Sequence, residues 1–197
     1  SNDVKDSFNM ISIDGDTSTN DMVAVMANGL AGNPEINSEG EDFDLFCAAL
    51  FEITSKLCRM IAADGEGATK LLECSVSGAE DEKTAKTVAK SVICSSLPKA
   101  AMFGADANWG RVLCAIGYAD ADVDVSKVGV SFRSCKGEIE VCRNGAGVDF
   151  SEESAKTILS ENEIEILVSL GSGNNSATAW GCDLTYDYVK INGDYRT

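Results

Sequence analysis

Apolar and polar positions change their period several times along the chain. From Phe8 to Asp14, FNMISID alternates and is rich in β-branched residues, which predicts a strand, and GDTSTND follows as a loop. MVAVMANG, residues 22–29, reads as a second strand or a short buried segment. From Phe43 the spacing lengthens: Phe46, Leu50, Ile53, Leu57 and Met60 recur at intervals of three and four, predicting an amphipathic helix with its stripe toward a core. Acidic residues at its start suit the helix dipole, and Gly65 is placed to end it.

Beyond that helix, KLLECSVSG (70–78) is strand-like. Residues 80–96 form a second helical pattern with Ala85, Val88 and Val92 on one face, closed by Pro98. NWGRVLCAIGY is a shorter helix, with Asp106 or Asn108 as its N-cap, and VGVSF and GEIEVC pair as strands. SEESAKTILSEN is a third helix capped by Ser151. EIEILVSL and SATAWGCDLTYDYVKIN read as strands, the last with Tyr186, Tyr188, Lys190 and Asn192 on one face. Helices alternating with mainly antiparallel strands make the fold class α+β, helices packed on a sheet. The 197 residues suffice for one domain or two small lobes with a real core, and GNPEINSEGED (32–42) is the one linker-like stretch.

Composition removes function classes. A net charge of −16 with scattered basic residues opposes nucleic acid and anionic membranes as partners. No apolar run is long enough to span a bilayer and no signal peptide opens the chain, so a soluble protein is expected. The eight cysteines form no C-x-x-C pair and read as reduced, mostly core residues of a cytoplasmic protein. There is no histidine, which excludes Ser-His-Asp and Cys-His triads and His-ligated metal sites within this chain.

Two loops carry candidate chemistry. DGDTSTND (14–21) matches the first calcium-loop ligands at Asp14, Asp16 and Ser18, but Thr19 stands where glycine is needed and Val25 where glutamate is needed, so an EF-hand fails. It is either a self-bonded polar loop or a hydroxyl-rich wall of a site. DGEGATK (64–70) is neither a dinucleotide fingerprint nor a P-loop. It is a helix C-cap leading into a strand, and its glycines also let a ligand approach the backbone beside Glu66.

SFNMISIDGDTSTND, ADGEGATK, GADANWGRV and ATAWGCDLTYDYVKINGDYRT occur in this order over nearly the whole chain. Together they resemble the ornithine acetyltransferases, also called glutamate N-acetyltransferases or the bifunctional enzyme of arginine biosynthesis. One departure is Ala107, where that family usually has proline. The resemblance implies an αββα-like, N-terminal-nucleophile type of architecture. It implies a self-cleaving enzyme in which a new N-terminal threonine takes acetyl from N-acetylornithine and passes it to glutamate. Residues 1–197 then form the C-terminal part of the β chain, with the nucleophilic threonine upstream and no catalytic residue in this chain. Glu66, Asn192 and Thr197 match the family's substrate-binding residues: Glu66 to pair with an ammonium, Asn192 and Thr197 to donate to a carboxylate. The implied partners are the α chain and the upstream β segment, in a heterotetramer. No metal or bound cofactor is implied, with acetyl-CoA a co-substrate only in bifunctional members. Two other readings stay open: an N-terminal-nucleophile amidohydrolase or aminopeptidase, and a non-catalytic assembly lobe.

Overall fold

Seven strands make one mixed sheet among residues 2–195, the part of the chain that the computed structural model describes. A first turn of helix, α1 (Asn2–Asp6), precedes the short strand β1 (Ile11–Ser12). Then come α2 (Glu41–Ala63), β2 (Leu71–Ala79), α3 (Glu82–Cys94), α4 (Ser96–Phe103) and α5 (Trp109–Gly117). The chain continues through β3 (Gly129–Ser134), β4 (Gly137–Arg143), β5 (Ala146–Gly147), α6 (Glu152–Leu159), β6 (Glu163–Ser169), β7 (Asn175–Cys182) and α7 (Tyr186–Asp194). The sheet order is β1-β7-β2-β6-β3-β4-β5. Four of the six pairings are antiparallel, while β1 with β7 and β2 with β6 run parallel. The α+β class expected from the pattern is what the chain adopts, with a single sheet among the described residues.

The two faces of the sheet differ because successive side chains alternate. Leu72, Cys74 and Val76 of β2 are buried on the face where α3 lies. There Ala85, Val88, Ala89, Val92 and Ile93 supply the apolar stripe, and Ile93 sits close over Gly181 of β7, which pairs with Leu72. Each fully buried aliphatic side chain of this layer contributes about 1.5–3 kcal/mol. Asp81 caps α3 by accepting from the Thr84 amide at 2.7 Å. On the opposite face α2 crosses β2 and β7. There Arg59 pairs with Glu73, and the Trp180 indole N–H donates to the same carboxylate at 3.0 Å.

Several sequence expectations are corrected. Residues 8–14 hold a 3₁₀ turn (Phe8–Met10) and only the two-residue strand β1. Residues 22–29 form neither a strand nor a buried segment: they have no regular structure, and Met22 and Met26 are 84% and 95% exposed. α2 turns the other way round from its periodicity. Thr54, Cys58 and Ala62 face the sheet, while Phe46, Ile53, Leu57 and Met60 point outward. Pro98 does not close α3, which ends at Cys94, but lies in the first turn of α4, where its missing N–H costs little. Residues 186–192 are helical rather than a strand, because Thr185 caps the segment by accepting from the Tyr188 amide at 3.2 Å. The cysteines divide evenly: Cys58, Cys74, Cys142 and Cys182 are buried, Cys47, Cys94, Cys114 and Cys135 exposed, and all eight are free thiols. No helix of the described residues is long and apolar enough to cross a membrane.

Candidate active site

The loop after α2, the loop after β1 and helix α7 converge at one end of the sheet. β7 ends at Cys182, and the next residue, Asp183, is only 3% exposed. A buried carboxylate needs donors to stay charged. Asp183 has them: it accepts from the Thr69 and Lys70 amides at 2.8 and 3.0 Å and from the Thr69 hydroxyl. These bonds tie the exit of β7 to the entry of β2. The Lys70 ammonium, itself 9% exposed, donates to the Met102 and Leu159 carbonyls at 2.7 Å each. Burial lowers its pKa, and the charge of Asp183 acts in the opposite direction.

A second buried lysine holds the other loop. Lys99, 3% exposed, donates to the Ile13 carbonyl and lies 3.9 Å from the Cys182 sulfur. Burial pushes the Cys182 thiol up, and the Lys99 cation opposes that shift. Asp14 follows Ile13 and accepts from the Asp16 amide at 3.0 Å, so DGD is a self-bonded polar turn.

Glycine between Glu66 and Ala68 permits the central approach. Gly67 has φ +67°, and a Cβ there would stand 2.6 Å from the Tyr188 amide nitrogen. The Thr185 hydroxyl donates to the Gly67 carbonyl at 2.6 Å, locking the start of α7 onto this loop. Two more bonds follow along one face of α7, where residues four apart lie together. The Tyr188 hydroxyl donates to Asp14 at 3.1 Å, and the Asn192 amide donates to Glu66 at 2.8 Å. Phe103 and Tyr186 meet edge to face, with centroids 5.6 Å apart. The Tyr188 phenol pKa is raised, first by burial and then by Asp14, with further contributions from Glu66 and Asp16.

Two of the sequence-derived site residues, Glu66 and Asn192, thus touch each other, although 126 positions separate them. Thr197 lies outside the described residues. Both Glu66 and Asn192 are exposed, so the pair is accessible from solvent. The surrounding carboxylates of Asp14, Asp16 and Glu66 make this corner suited to a cationic group. The sequence offers Asp14 and Gly67 only as members of the two candidate loops, and it gives no site signal for Asp183 or Tyr188. A Thr before a short polar stretch at Thr185 was the one available signal, as a helix cap. GADANWGRV has a structural part: Asn108 caps α5 by accepting from the Arg111 amide at 3.3 Å, and the adjacent Ala107 is buried.

A family model described as the ArgJ family matches residues 1–197. The chain belongs to the ArgJ family. It is 56% identical over 194 residues to the arginine biosynthesis bifunctional protein ArgJ 1 of Clostridium acetobutylicum, covering 98% of this chain and 48% of that protein. It is 50% identical over 194 residues to a glutamate N-acetyltransferase of Methanopyrus kandleri, covering 98% of this chain and 49% of that one. The chain therefore spans about half the length of the curated relatives it matches. Its fold matches the crystal structure of the arginine biosynthesis bifunctional protein ArgJ of Bacillus halodurans with a TM-score of 0.92 and 46% identity, covering 98% of this chain and 90% of that chain.

Proposed function

We propose that this ArgJ-family chain is the C-terminal part of the β chain of a glutamate N-acetyltransferase that moves acetyl from N-acetylornithine to glutamate in arginine biosynthesis. The observation that carries the reading is the exposed Glu66–Asn192 pair at 2.8 Å, in a chain matched to the family over its whole length. Glu66 pairs with a substrate ammonium, and Asn192 orients that carboxylate and donates to the substrate carboxylate. Thr197 joins them as a carboxylate donor. The nucleophile is a threonine outside this chain, freed by self-cleavage. Its hydroxyl oxygen takes the acetyl group as an ester, and the ornithine amine leaves with the proton. The glutamate amine then attacks the ester, and the hydroxyl is restored. No bound cofactor is needed for this exchange, and acetyl-CoA enters only as a co-substrate of a bifunctional enzyme. The setting is the cytoplasm.

The remaining half of the family polypeptide, the α chain with the upstream β segment, is the partner, in a heterotetramer. Support comes from exposed apolar side chains that water does not favour. Val25, Met26 and Leu30 of the irregular segment before α2 and Phe46, Leu57 and Met60 of α2 itself are all exposed. A chain spanning about half of its relatives has an obvious partner to cover them.

The test uses the complete gene product, N-acetylornithine and labelled glutamate, with no cofactor added. Labelled N-acetylglutamate is the expected product. Free acetate without transfer would instead identify an amidohydrolase of N-terminal-nucleophile type. A complete protein with no cleavage-site threonine upstream would instead leave this chain as an assembly lobe, and neither product from a correctly cleaved protein would reduce the family match to a shared fold.

A further inference from the structure

We propose that Tyr188 is a positioning residue of this site, whose hydroxyl, bonded to Asp14, holds helix α7 in the place where Asn192 meets Glu66. The inference rests on the acetyl-transfer reading for its kinetic readout, and on geometry alone for its structural one.

α7 has nine residues and none of its side chains is buried. A helix this short is not stable by itself in water, so its position comes from its few ties to the body. At its start these are the Thr185 bond to Gly67, the backbone contact with Gly67 and the Phe103 edge. All of them act at or before Tyr188. Asn192 lies one turn further on, and beyond Tyr188 the only tie to the body given by the described geometry is the Asn192–Glu66 bond itself. The direction in which the helix leaves the surface is therefore set at Tyr188. Its hydroxyl provides the lever, because it reaches past the helix to a loop on the other side of the site.

The far end of that bond is firmly held. Asp14 follows Ile13, whose carbonyl accepts from the buried Lys99 ammonium, and its other carboxylate oxygen accepts from the Asp16 amide. Lys99 lies on α4, which also supplies the Met102 carbonyl to Lys70 and the Phe103 ring to Tyr186. A chain of contacts thus runs from the body through Lys99, Ile13, Asp14 and Tyr188 to Asn192 and Glu66. Nothing in the acetyl-transfer chemistry requires a phenol here, and Tyr188 does not touch the reacting atoms in this reading.

The experiment compares Tyr188→Phe, Asp14→Asn, Asp14→Ala and the double variant Tyr188→Phe/Asp14→Ala in the complete, cleaved enzyme. Far-UV circular dichroism and thermal midpoint establish that each is folded. Tyr188→Phe is expected to raise KM for N-acetylornithine by about threefold, within what loss of the Asn192 contact itself would cost, with kcat unchanged. Asp14→Asn keeps an acceptor and is expected to change KM less than Asp14→Ala. The double variant is expected to match Tyr188→Phe alone, because the two residues act through one bond. Amide hydrogen exchange in residues 188–192, measured without substrate, is expected to quicken in Tyr188→Phe while the core strands stay protected. Unchanged exchange in α7 overturns the proposal whatever the enzyme catalyses. An unchanged KM in an enzyme whose wild type transfers acetyl overturns it as well. A wild type that transfers no acetyl sinks the functional reading alone, and the exchange measurement still decides the positioning role.

Discussion

Asn192 donates its side-chain amide to the Glu66 carboxylate at 2.8 Å, joining a C-terminal helix to the loop that follows the longest helix of the fold. The bond fixes the orientation of one carboxylate oxygen on an exposed acid. It also makes the two residues separable in experiment, since each is expected to act on binding by a different amount.

In the complete enzyme, Glu66→Ala is expected to raise KM for N-acetylornithine by about ten- to hundredfold, the scale of losing a charge-assisted contact to an ammonium. Asn192→Ala, which leaves the carboxylate in place, is expected to raise it by only about three- to tenfold. Steady-state kinetics with both substrates varied checks the order. An unchanged KM in Glu66→Ala would remove Glu66 from the substrate site.

Asp183 is a structural carboxylate. Replacing it with alanine strands the Thr69 and Lys70 amides and leaves the Lys70 cation without its nearest counter-charge. The expected cost is about 3 kcal/mol of stability, read as a lower urea midpoint at unchanged slope. A midpoint equal to that of the wild type would show that water replaces those bonds.

The outward face of α2 is expected to be an assembly surface rather than a core. Leu57→Asp in the co-expressed protein is expected to abolish most recovery of the partner half on copurification, since an unpaired charge in an apolar contact costs several kcal/mol, roughly 3 or more. Lys56→Asp, on the adjacent exposed position, is expected to leave recovery unchanged. Equal recovery from both variants would place the partner elsewhere.

Buried thiols set an alkaline limit. Burial, with help from Asp3, pushes the Cys58 thiol up from 9.0 to about 11, and burial shifts Cys74 in the same direction. Unfolding lets each thiol lose its proton near the ordinary value. The folded state therefore holds more protons at alkaline pH, and this contribution, complete below 9.0, is lost as pH rises toward 11. Urea midpoints across that interval are expected to fall, and to fall less steeply in Cys58→Ala. Parallel curves for the two proteins would remove Cys58 as a source.

Part of the fold was legible because local and tertiary signals agree. In α3 the spacing of Ala85, Val88 and Val92 coincides with the buried face, and Asp81 caps where a cap is needed. β2, β3, β4 and β6 coincide with the predicted stretches to within about two residues at either end. In α2 the signals conflict. The Phe46, Ile53, Leu57 and Met60 stripe is more hydrophobic than the Thr54, Cys58 and Ala62 stripe, yet the smaller residues face the sheet. Periodicity detects a helix with an apolar face, but not which of two surfaces that face meets.

The sequence by itself determined the α+β class, the absence of histidine chemistry, and Glu66 as a carboxylate set between glycines after a helix. Those features depend on residue type and on neighbours within a few positions. Only the tertiary structure decided that residues 186–194 form a helix and that Tyr188 and Asn192 there reach Asp14 and Glu66. The alternation of Tyr186, Tyr188 and Lys190 fits a strand equally well. What tips it is the capping hydroxyl of Thr185, whose own proton goes to the Gly67 carbonyl more than a hundred residues away in sequence. A bond of that kind is set by how the sheet brings two loops together, and no local pattern encodes it.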